Sequence, residues 1–160
     1  MKRHQNRIVV VLFAAMLVSV LAACGGAPRV DWELAVSGAV DNPTTFTYRD
    51  LTDVKQTELP DIMMEKSTGE EEITSWRGVP VDALFEEVGG GDYASVTAIA
   101  ADGYAIDITA DELQGAIVAL KRGGEWITEA EPDKGPIRLV CPETPANRWV
   151  FALQELQVNP

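Results

Sequence analysis

The chain has 160 residues, of which 13 are basic, 25 acidic and one is a histidine, so its formal net charge is −12. A protein this acidic repels nucleic acid and anionic lipid headgroups, which excludes both as partners of its surface. Its length suits one domain with a hydrophobic core, preceded by a short leader.

The leader has the form of a secretory signal. A basic start is followed by an almost unbroken apolar run, residues 8–20, and then by Leu21-Ala22-Ala23-Cys24. This ending resembles the lipobox of bacterial lipoproteins, in which the cysteine is diacylated and becomes the new N-terminus. The alternatives are an ordinary signal peptide or an anchoring helix, with the cysteine incidental. The apolar run is short for a span of about 20 residues, which favours the lipoprotein.

We therefore expect a signal peptide at 1–23, a lipidated Cys24 with a flexible tether at 24–30, and one domain at 31–160. Cleavage would leave 10 basic and 25 acidic residues, a formal charge of −15. Attachment to the membrane would come from the lipid and not from a basic face. The predicted location is the bacterial cell envelope, outside the cytoplasm.

The counts of histidine and cysteine limit the chemistry. His4 leaves with the signal, so the mature chain has no Ser-His-Asp or Cys-His nucleophile. It also lacks histidine for a zinc site and the motif that attaches haem, so we expect neither. With Cys24 lipidated, Cys141 has no partner for a disulfide. Any redox chemistry would need a bound cofactor.

The first elements are short. Leu34 and Val36 alternate with polar or small residues and predict a half-buried strand. Thr47 and Asp50 form a capping box that opens a one-turn helix. Residues 55–66 predict an extended segment, broken by a proline. A turn and a like-charge run follow, and we expect the acidic run at 70–72 to be a solvated hairpin tip.

A second helix follows the segment Trp76-Arg77-Gly78. Apolar residues recur at i, i+3, i+4 and i+7 from Val81 to Val88, with Pro80 at the first helical position and Gly89 as a left-handed stop. Strand-like segments lie on both sides, so this helix is expected to pack on a sheet.

The second half of the chain is rich in strand signals. We predict strands at 95–101, 104–108, 116–120, 137–141 and 148–158. Asp102-Gly103 predicts a hairpin turn, and Thr109 with Glu112 a capping box that opens a third helix. The expected fold class is therefore α+β, with a mixed sheet core and short helices.

Six short motifs occur in an order that resembles the molybdopterin-binding domain of the sulfite oxidase family. They are residues 38–43, Phe46-Thr47-x-x-Asp50-Leu51, 76–81, 101–104, Gly135-Pro136-Ile137-Arg138-Leu139-Val140-x-Pro142, and Arg148-Trp149. The resemblance extends from about Trp32 to Val158. It implies an oxidoreductase-like domain that binds a molybdenum pterin.

The resemblance also implies a cysteine thiolate on the molybdenum, and this chain departs from it. No cysteine occurs between Thr52 and Ser75, and Met63 and Met64 stand where it is expected. A neutral thioether is a poor ligand for an oxidised, hard metal, so no metal ligand is assigned. Cys141 follows a buried strand, which favours a core residue over a replacement ligand.

The resemblance places a basic residue against the phosphate of the pterin. Arg148 matches that position and Trp149 its aromatic neighbour, while Arg138 is a second candidate on an otherwise apolar strand. A guanidinium gives a phosphate bidentate, charge-assisted bonds. The alternative is that both arginines pair with carboxylates. Asp102 and Tyr104 belong to a turn that lies near the cofactor in the family, although a hairpin turn with a core tyrosine is the preferred interpretation.

Two hypotheses follow. The first is an envelope oxidoreductase, or a subunit of one, that carries a molybdenum pterin without the usual thiolate and works with an envelope redox partner. The second is a non-catalytic lipoprotein that binds a ligand or a protein with the same fold and without the metal. The sequence names no substrate and no electron acceptor.

Overall fold

The computed structural model describes residues 26–65 and 68–160. The predicted signal peptide and Cys24 lie outside the described residues. The strands are β1 (Glu33–Gly38), β2 (Thr44–Thr47), β3 (Thr57–Glu65), β4 (Glu71–Pro80), β5 (Ser95–Ala100), β6 (Ala105–Thr109), β7 (Ile117–Arg122), β8 (Glu125–Trp126), β9 (Arg138–Val140), β10 (Val150–Phe151) and β11 (Leu153–Asn159). The helices are α1 (Tyr48–Asp53), α2 (Val81–Glu87) and α3 (Ile127–Ala130), with 3-10 turns at Pro132–Lys134 and Ala146–Arg148.

The described strands form two sheets. The first has the order β2-β1-β11-β5-β6 and is mixed, because β1 runs parallel to β11 while the other neighbours are antiparallel. The second has the order β10-β9-β7-β4-β3, with β8 beside β7, and its pairs are antiparallel. The predicted α+β class with a mixed sheet is confirmed.

Close packing between β4 and β7 explains a glycine of the central motif. A Cβ at Gly78 would lie 2.0 Å from the carbonyl oxygen of Val118, so no side chain fits there. The far part of β3 and β4, residues 62–65 and 71–74, forms strand pairs only within itself in the described part of the chain. It forms a two-stranded arm beyond the rest of the second sheet.

The two predicted helix starts near Thr47 and Pro80 have different outcomes. The capping box of α1 forms as predicted, with Thr47 and Asp50 bonding reciprocally. Pro80 is not the first helical residue; it ends β4 and occupies the N-cap, with φ −56° and ψ 134°. Gly89 stops α2 in the left-handed conformation that was predicted, with φ +70°. The chain then leaves the second sheet and enters the first.

Three other local predictions are wrong in part. Thr109 and Glu112 make the capping-box bonds, but the chain forms turns there and no helix, since Gly115 with φ +69° follows within a few residues. The strand predicted at 148–158 is divided at Ala152, whose φ is +45°, between β10 of the second sheet and β11 of the first. Glu72 is not simply solvated, because it bonds to Arg122.

One hydrophobic core takes in buried residues of both sheets, among them Leu34 and Val96 from the first and Trp76 and Val118 from the second. The burial of these side chains is the main favourable term in the stability of the domain. In the part of the chain that the structure describes, no helix has the length and apolar character needed to cross a membrane.

Candidate functional site

Arg138 is the most deeply buried basic side chain among the sequence-predicted site residues, with an exposed fraction of 3%. It stands on β9, between apolar neighbours. Its guanidinium carbon lies 3.8 Å from the ring centroid of Phe151, 5.0 Å from that of Trp76 and 5.3 Å from that of Trp149. Aromatic faces therefore surround the cation and replace part of its lost hydration.

The hydrogen-bonding capacity of Arg138 is not used up by the described residues. Its Nε and Nη1 atoms are buried and have no hydrogen-bond partner there. The nearest carboxylate oxygen, Glu131 Oε2, lies 3.6 Å from Nη1, which is an ion pair but too long for a hydrogen bond. An unmade bond of this kind costs about 1–3 kcal/mol when the donor is buried, so an incoming acceptor would gain that energy.

Glu131 connects Arg138 to two further cations. Its Oε1 atom lies 2.9 Å from Arg122 Nη1 and 3.1 Å from Lys134 Nζ, and Arg122 also bonds to Glu72. We call these five residues the Glu131 cluster. It contains three cations and two carboxylates, so it carries a local positive surplus in a strongly acidic chain.

The protonation state of Arg138 follows from its surroundings. Burial lowers the pKa of Arg138 to about 10, the Glu131 carboxylate opposes this effect, Arg122 adds to it, and Glu72 opposes it again. Since this pKa stays well above 7, the guanidinium remains charged at neutral pH and keeps all its donors.

Two adjoining cavities lie at this end of the domain. The first, which we call the arginine cavity, has a volume of about 370 Å³, and the second, the tyrosine cavity, about 280 Å³. They share Ala146, Asn147 and Phe151. The arginine cavity is also lined by Met64, Glu65, Thr68, Glu70, Lys134 and Arg138. The tyrosine cavity is also lined by Ala100, Asp102, Tyr104 and Trp149.

Four of the five predicted cofactor residues therefore meet at adjoining cavities. Trp149 is 3% exposed, and its indole nitrogen donates to the carbonyl oxygen of Cys141 at 2.9 Å. Asp102 accepts a bond from the backbone nitrogen of Tyr104 at 2.9 Å, which shapes the predicted hairpin turn. The preferred interpretation of Tyr104 as a core residue is wrong, since the residue is 49% exposed and lines the cavity.

Arg148 lies beside this group, but its described bonds point elsewhere. Its Nε and Nη2 atoms donate to the two carboxylate oxygens of Glu112 at 3.0 and 2.8 Å, and Nη2 also donates to the carbonyl oxygen of Asp107 at 2.8 Å. It lines neither the arginine nor the tyrosine cavity. The phosphate contact predicted for Arg148 stays a prediction.

The two methionines at the expected cysteine position differ in their surroundings. Met63 is 58% exposed and pairs across the arm with Ile73, which is 66% exposed. Met64 is 4% exposed and lines the arginine cavity. The sulfur nearest to the candidate site therefore belongs to a neutral thioether.

Cys141 does not replace the missing thiolate. Its side chain is fully buried in the core, as the preferred interpretation had it. Burial raises the pKa of the Cys141 thiol to about 12, with the Glu112 carboxylate adding to this effect and Arg148 opposing it. In the absence of a metal the thiol therefore keeps its proton at neutral pH. In residues 26–65 and 68–160 no group of three or more His, Cys, Asp or Glu side chains is arranged to hold a metal ion.

Sequence reasoning missed Glu131, Phe151 and Asn147. Glu131 is one of 25 acidic residues, and nothing in its sequence context marks it as the partner of three cations. Phe151 was assigned to a continuous strand, so its place over Arg138 was not foreseen. The strand break at Ala152 places Phe151 in the second sheet, and an alanine gives no sequence signal for such a break.

The model of the family described as oxidoreductase molybdopterin binding domain matches residues 24–160. The chain belongs to this family. Among solved structures it is similar to the sulfane dehydrogenase SoxCD from Paracoccus pantotrophus, with a TM-score of 0.72 and 21% identity over 84% of this chain and 40% of that chain. That likeness shows a shared fold, and this chain spans less than half of the sulfane dehydrogenase chain. No curated protein matches the chain.

The family assignment from the six motifs is thus confirmed, and the residues can be tested against a molybdopterin. The anionic end of the cofactor fits, because Arg138 offers two buried donors that lack partners and lines a cavity together with Lys134 and Phe151. A metal held by protein sulfur does not fit, because Met64 offers a neutral thioether and Cys141 is fully buried and lines neither cavity. Among the described residues, the cavities thus offer donors for an anionic ligand and no thiolate for a metal.

Proposed function

We propose that this chain binds a molybdopterin in the arginine cavity, with the phosphate of the cofactor held by Arg138. The proposal places the protein in the cell envelope as a lipoprotein anchored through Cys24, where it takes part in an envelope redox system. The bound cofactor would supply the redox chemistry. The side chains of the protein bind it, orient it and exclude water from its anionic end.

One observation carries this proposal: the buried, charged guanidinium of Arg138 keeps two nitrogens without a hydrogen-bond partner in the described residues. Buried donors nearly always have a hydrogen-bond partner. Two buried nitrogens without one, on a side chain that lines a cavity, therefore indicate a ligand that supplies the acceptor. A phosphate matches the charge and the fork of a guanidinium. Lys134 lines the same cavity and adds a second positive charge.

Aromatic side chains support the planar part of the ligand. Phe151 is shared by both cavities, and Trp149 and Tyr104 line the second one. Flat ring systems stack on such faces with a gain of about 0.5–1.5 kcal/mol beyond the area they bury. A ligand with a phosphate at one end and a heterocycle at the other therefore suits the two adjoining cavities.

The second candidate function is a non-catalytic lipoprotein that binds a ligand without a metal. The buried Cys141 thiol and the Met64 thioether favour it, because neither supplies the anionic sulfur that the family uses for molybdenum. Both candidates use Arg138 for an anionic ligand. They differ in whether molybdenum accompanies it.

Equilibrium binding of a phosphorylated pterin, followed by fluorescence, tests the proposal. Losing one charge-assisted contact costs about 1.5–3 kcal/mol, so Arg138→Met is expected to weaken binding by about ten- to a hundredfold. Arg77→Met is the matched control, since Arg77 is an exposed arginine on β4 away from the cavities. Equal affinity in wild type and Arg138→Met would refute the assignment of Arg138 to the phosphate.

A further inference from the structure

The carboxylate of Glu131 divides its partners unevenly. Oε1 lies within 3.1 Å of both Arg122 Nη1 and Lys134 Nζ, whereas Oε2 is buried and accepts no hydrogen bond from the described residues. Across a gap of 3.6 Å, Oε2 faces Arg138 Nη1, which also lacks a partner. Two opposite charges thus stand close together without the bond that would normally join them.

This arrangement allows Arg138 to exchange Glu131 for another anion as its ionic partner. Moving its guanidinium towards a ligand breaks no hydrogen bond to Glu131, and it gives the two unsatisfied nitrogens an acceptor. Glu131 still has partners after this exchange, because its Oε1 atom keeps its contacts with Arg122 and Lys134. A buried carboxylate that lost its only partner would instead strongly destabilise the protein.

Resting on the proposed function, we propose that Glu131 is the internal counter-ion of the anion site. It neutralises Arg138 when the arginine cavity is empty, and it competes with the phosphate-type oxyanion of a ligand when the cavity fills. Glu131 thereby sets the affinity of the site. Its charge makes the binding free energy of the anion less favourable, and its contact keeps the Arg138 guanidinium in place for the ligand.

The charges of the Glu131 cluster favour an incoming anion. Its ion pairs join three cations to two carboxylates, so a bound anion offsets positive charge there. Glu65 and Glu70 also line the arginine cavity and are exposed. Screening by water weakens their repulsion of a ligand, whereas the repulsion from buried Glu131 is not screened in this way.

Calorimetric titration with inorganic phosphate tests the inference. Glu131→Gln removes the competing charge and keeps a carbonyl oxygen that Arg122 and Lys134 can share. A buried carboxylate repels a nearby anion more strongly than an exposed one, because the effective dielectric constant around it is lower than in water. Allowing for the loss of positioning, we expect phosphate to bind about tenfold more tightly. Glu129→Gln, an exposed neighbour on α3 with the same change of net charge, is expected to change affinity less than twofold.

A measurement on the wild-type protein tests the inference even if Glu131→Gln does not fold. In a phosphate titration followed by NMR, the Arg138 Nε–H signal and the Glu131 carboxyl carbon signal are expected to shift together. The inference is overturned if Glu131→Gln binds phosphate no more tightly than Glu129→Gln, or if the Glu131 signal stays fixed while the Arg138 signal saturates.

These outcomes also separate the inference from the function on which it rests. If the wild type and Glu131→Gln both fail to bind phosphate and phosphorylated pterin, the proposed function fails, and the inference fails with it. If the wild type binds phosphate and Arg138→Met does not, but Glu131→Gln shows no gain, the function stands and the role of Glu131 is wrong.

Discussion

Arg148 holds both carboxylate oxygens of Glu112, with Nε 3.0 Å from Oε1 and Nη2 2.8 Å from Oε2. The two residues are 36 positions apart, and the bond ties the 3-10 turn before β10 to the turns after β6. Nη2 extends the contact to the carbonyl oxygen of Asp107 on β6. Arg148, which the motif assigned to the phosphate of a ligand, thus binds a carboxylate and a backbone carbonyl of the protein.

From these contacts we expect Arg148→Ala to lower the free energy of unfolding by about 1 kcal/mol, because the pair is bidentate but only partly buried. Arg148→Lys should recover part of the loss, since the charge survives and the fork does not. Thermal and denaturant unfolding measure the effect. A loss of pterin-phosphate affinity of tenfold or more at unchanged stability would contradict this account and assign Arg148 to the phosphate.

The same pair predicts how stability depends on pH. The Arg148 guanidinium and the backbone N–H of Thr109 lower the pKa of Glu112 from its usual value of 4.5. A carboxyl whose pKa is lowered by folding contributes stability above its unfolded pKa and loses it as the pH falls through the folded pKa. Unfolding midpoints from pH 7 down to 2 should therefore fall less steeply for Glu112→Gln than for wild type below about pH 4.5. Parallel curves would show that this carboxyl is not linked to folding.

Cys141 should resist modification in the folded protein. Its side chain is fully buried, and its raised pKa leaves almost no thiolate at neutral pH. Labelling with a thiol reagent at pH 7.5 is expected to be negligible in buffer and complete in denaturant. The Cys24→Ser variant serves as the control, since its only remaining cysteine is Cys141. Rapid labelling under native conditions would make Cys141 an accessible thiol and restore it as a candidate ligand.

The lipoprotein prediction is tested by the same Cys24→Ser variant expressed in bacteria. The lipobox requires cysteine as the acylated residue, so the variant should be released from the membrane or remain uncleaved. Membrane fractionation and the size of the protein measure both outcomes. A variant that is still processed and still found with the membrane would rule out the lipid anchor.

The features that the sequence predicted well are those that depend on near neighbours. The capping box at Thr47 and Asp50, the Asp102-Gly103 turn and the left-handed Gly89 each depend on contacts within a few residues. Leu34 and Val36 were placed in a half-buried strand by simple alternation. Such patterns are local, so the order of residues is enough to specify them.

Contacts between distant residues could not be predicted in this way. Glu131 and Arg122 are brought together by the turn after β7 and by α3, and Phe151 reaches Arg138 through the pairing of β10 with β9. Capping-box residues at Thr109 and Glu112 suggested a helix, yet Glu112 is used by Arg148 and the chain turns instead. The motifs identified the family and brought Arg138, Trp149, Asp102 and Tyr104 to adjoining cavities, but the partners of each arginine required the structure.

The most direct test of the central claim is the pterin content of protein purified from its native envelope. After oxidation, the fluorescence of released pterin is measured per mole of protein for wild type, Arg138→Met and Arg77→Met, and molybdenum is measured in the same samples. The account predicts close to one pterin per wild-type and Arg77→Met molecule and a large loss in Arg138→Met. Pterin without molybdenum would select the metal-free candidate function. Wild-type protein that carries no pterin, or an Arg138→Met variant that carries as much as wild type, would contradict the claim that Arg138 holds the cofactor.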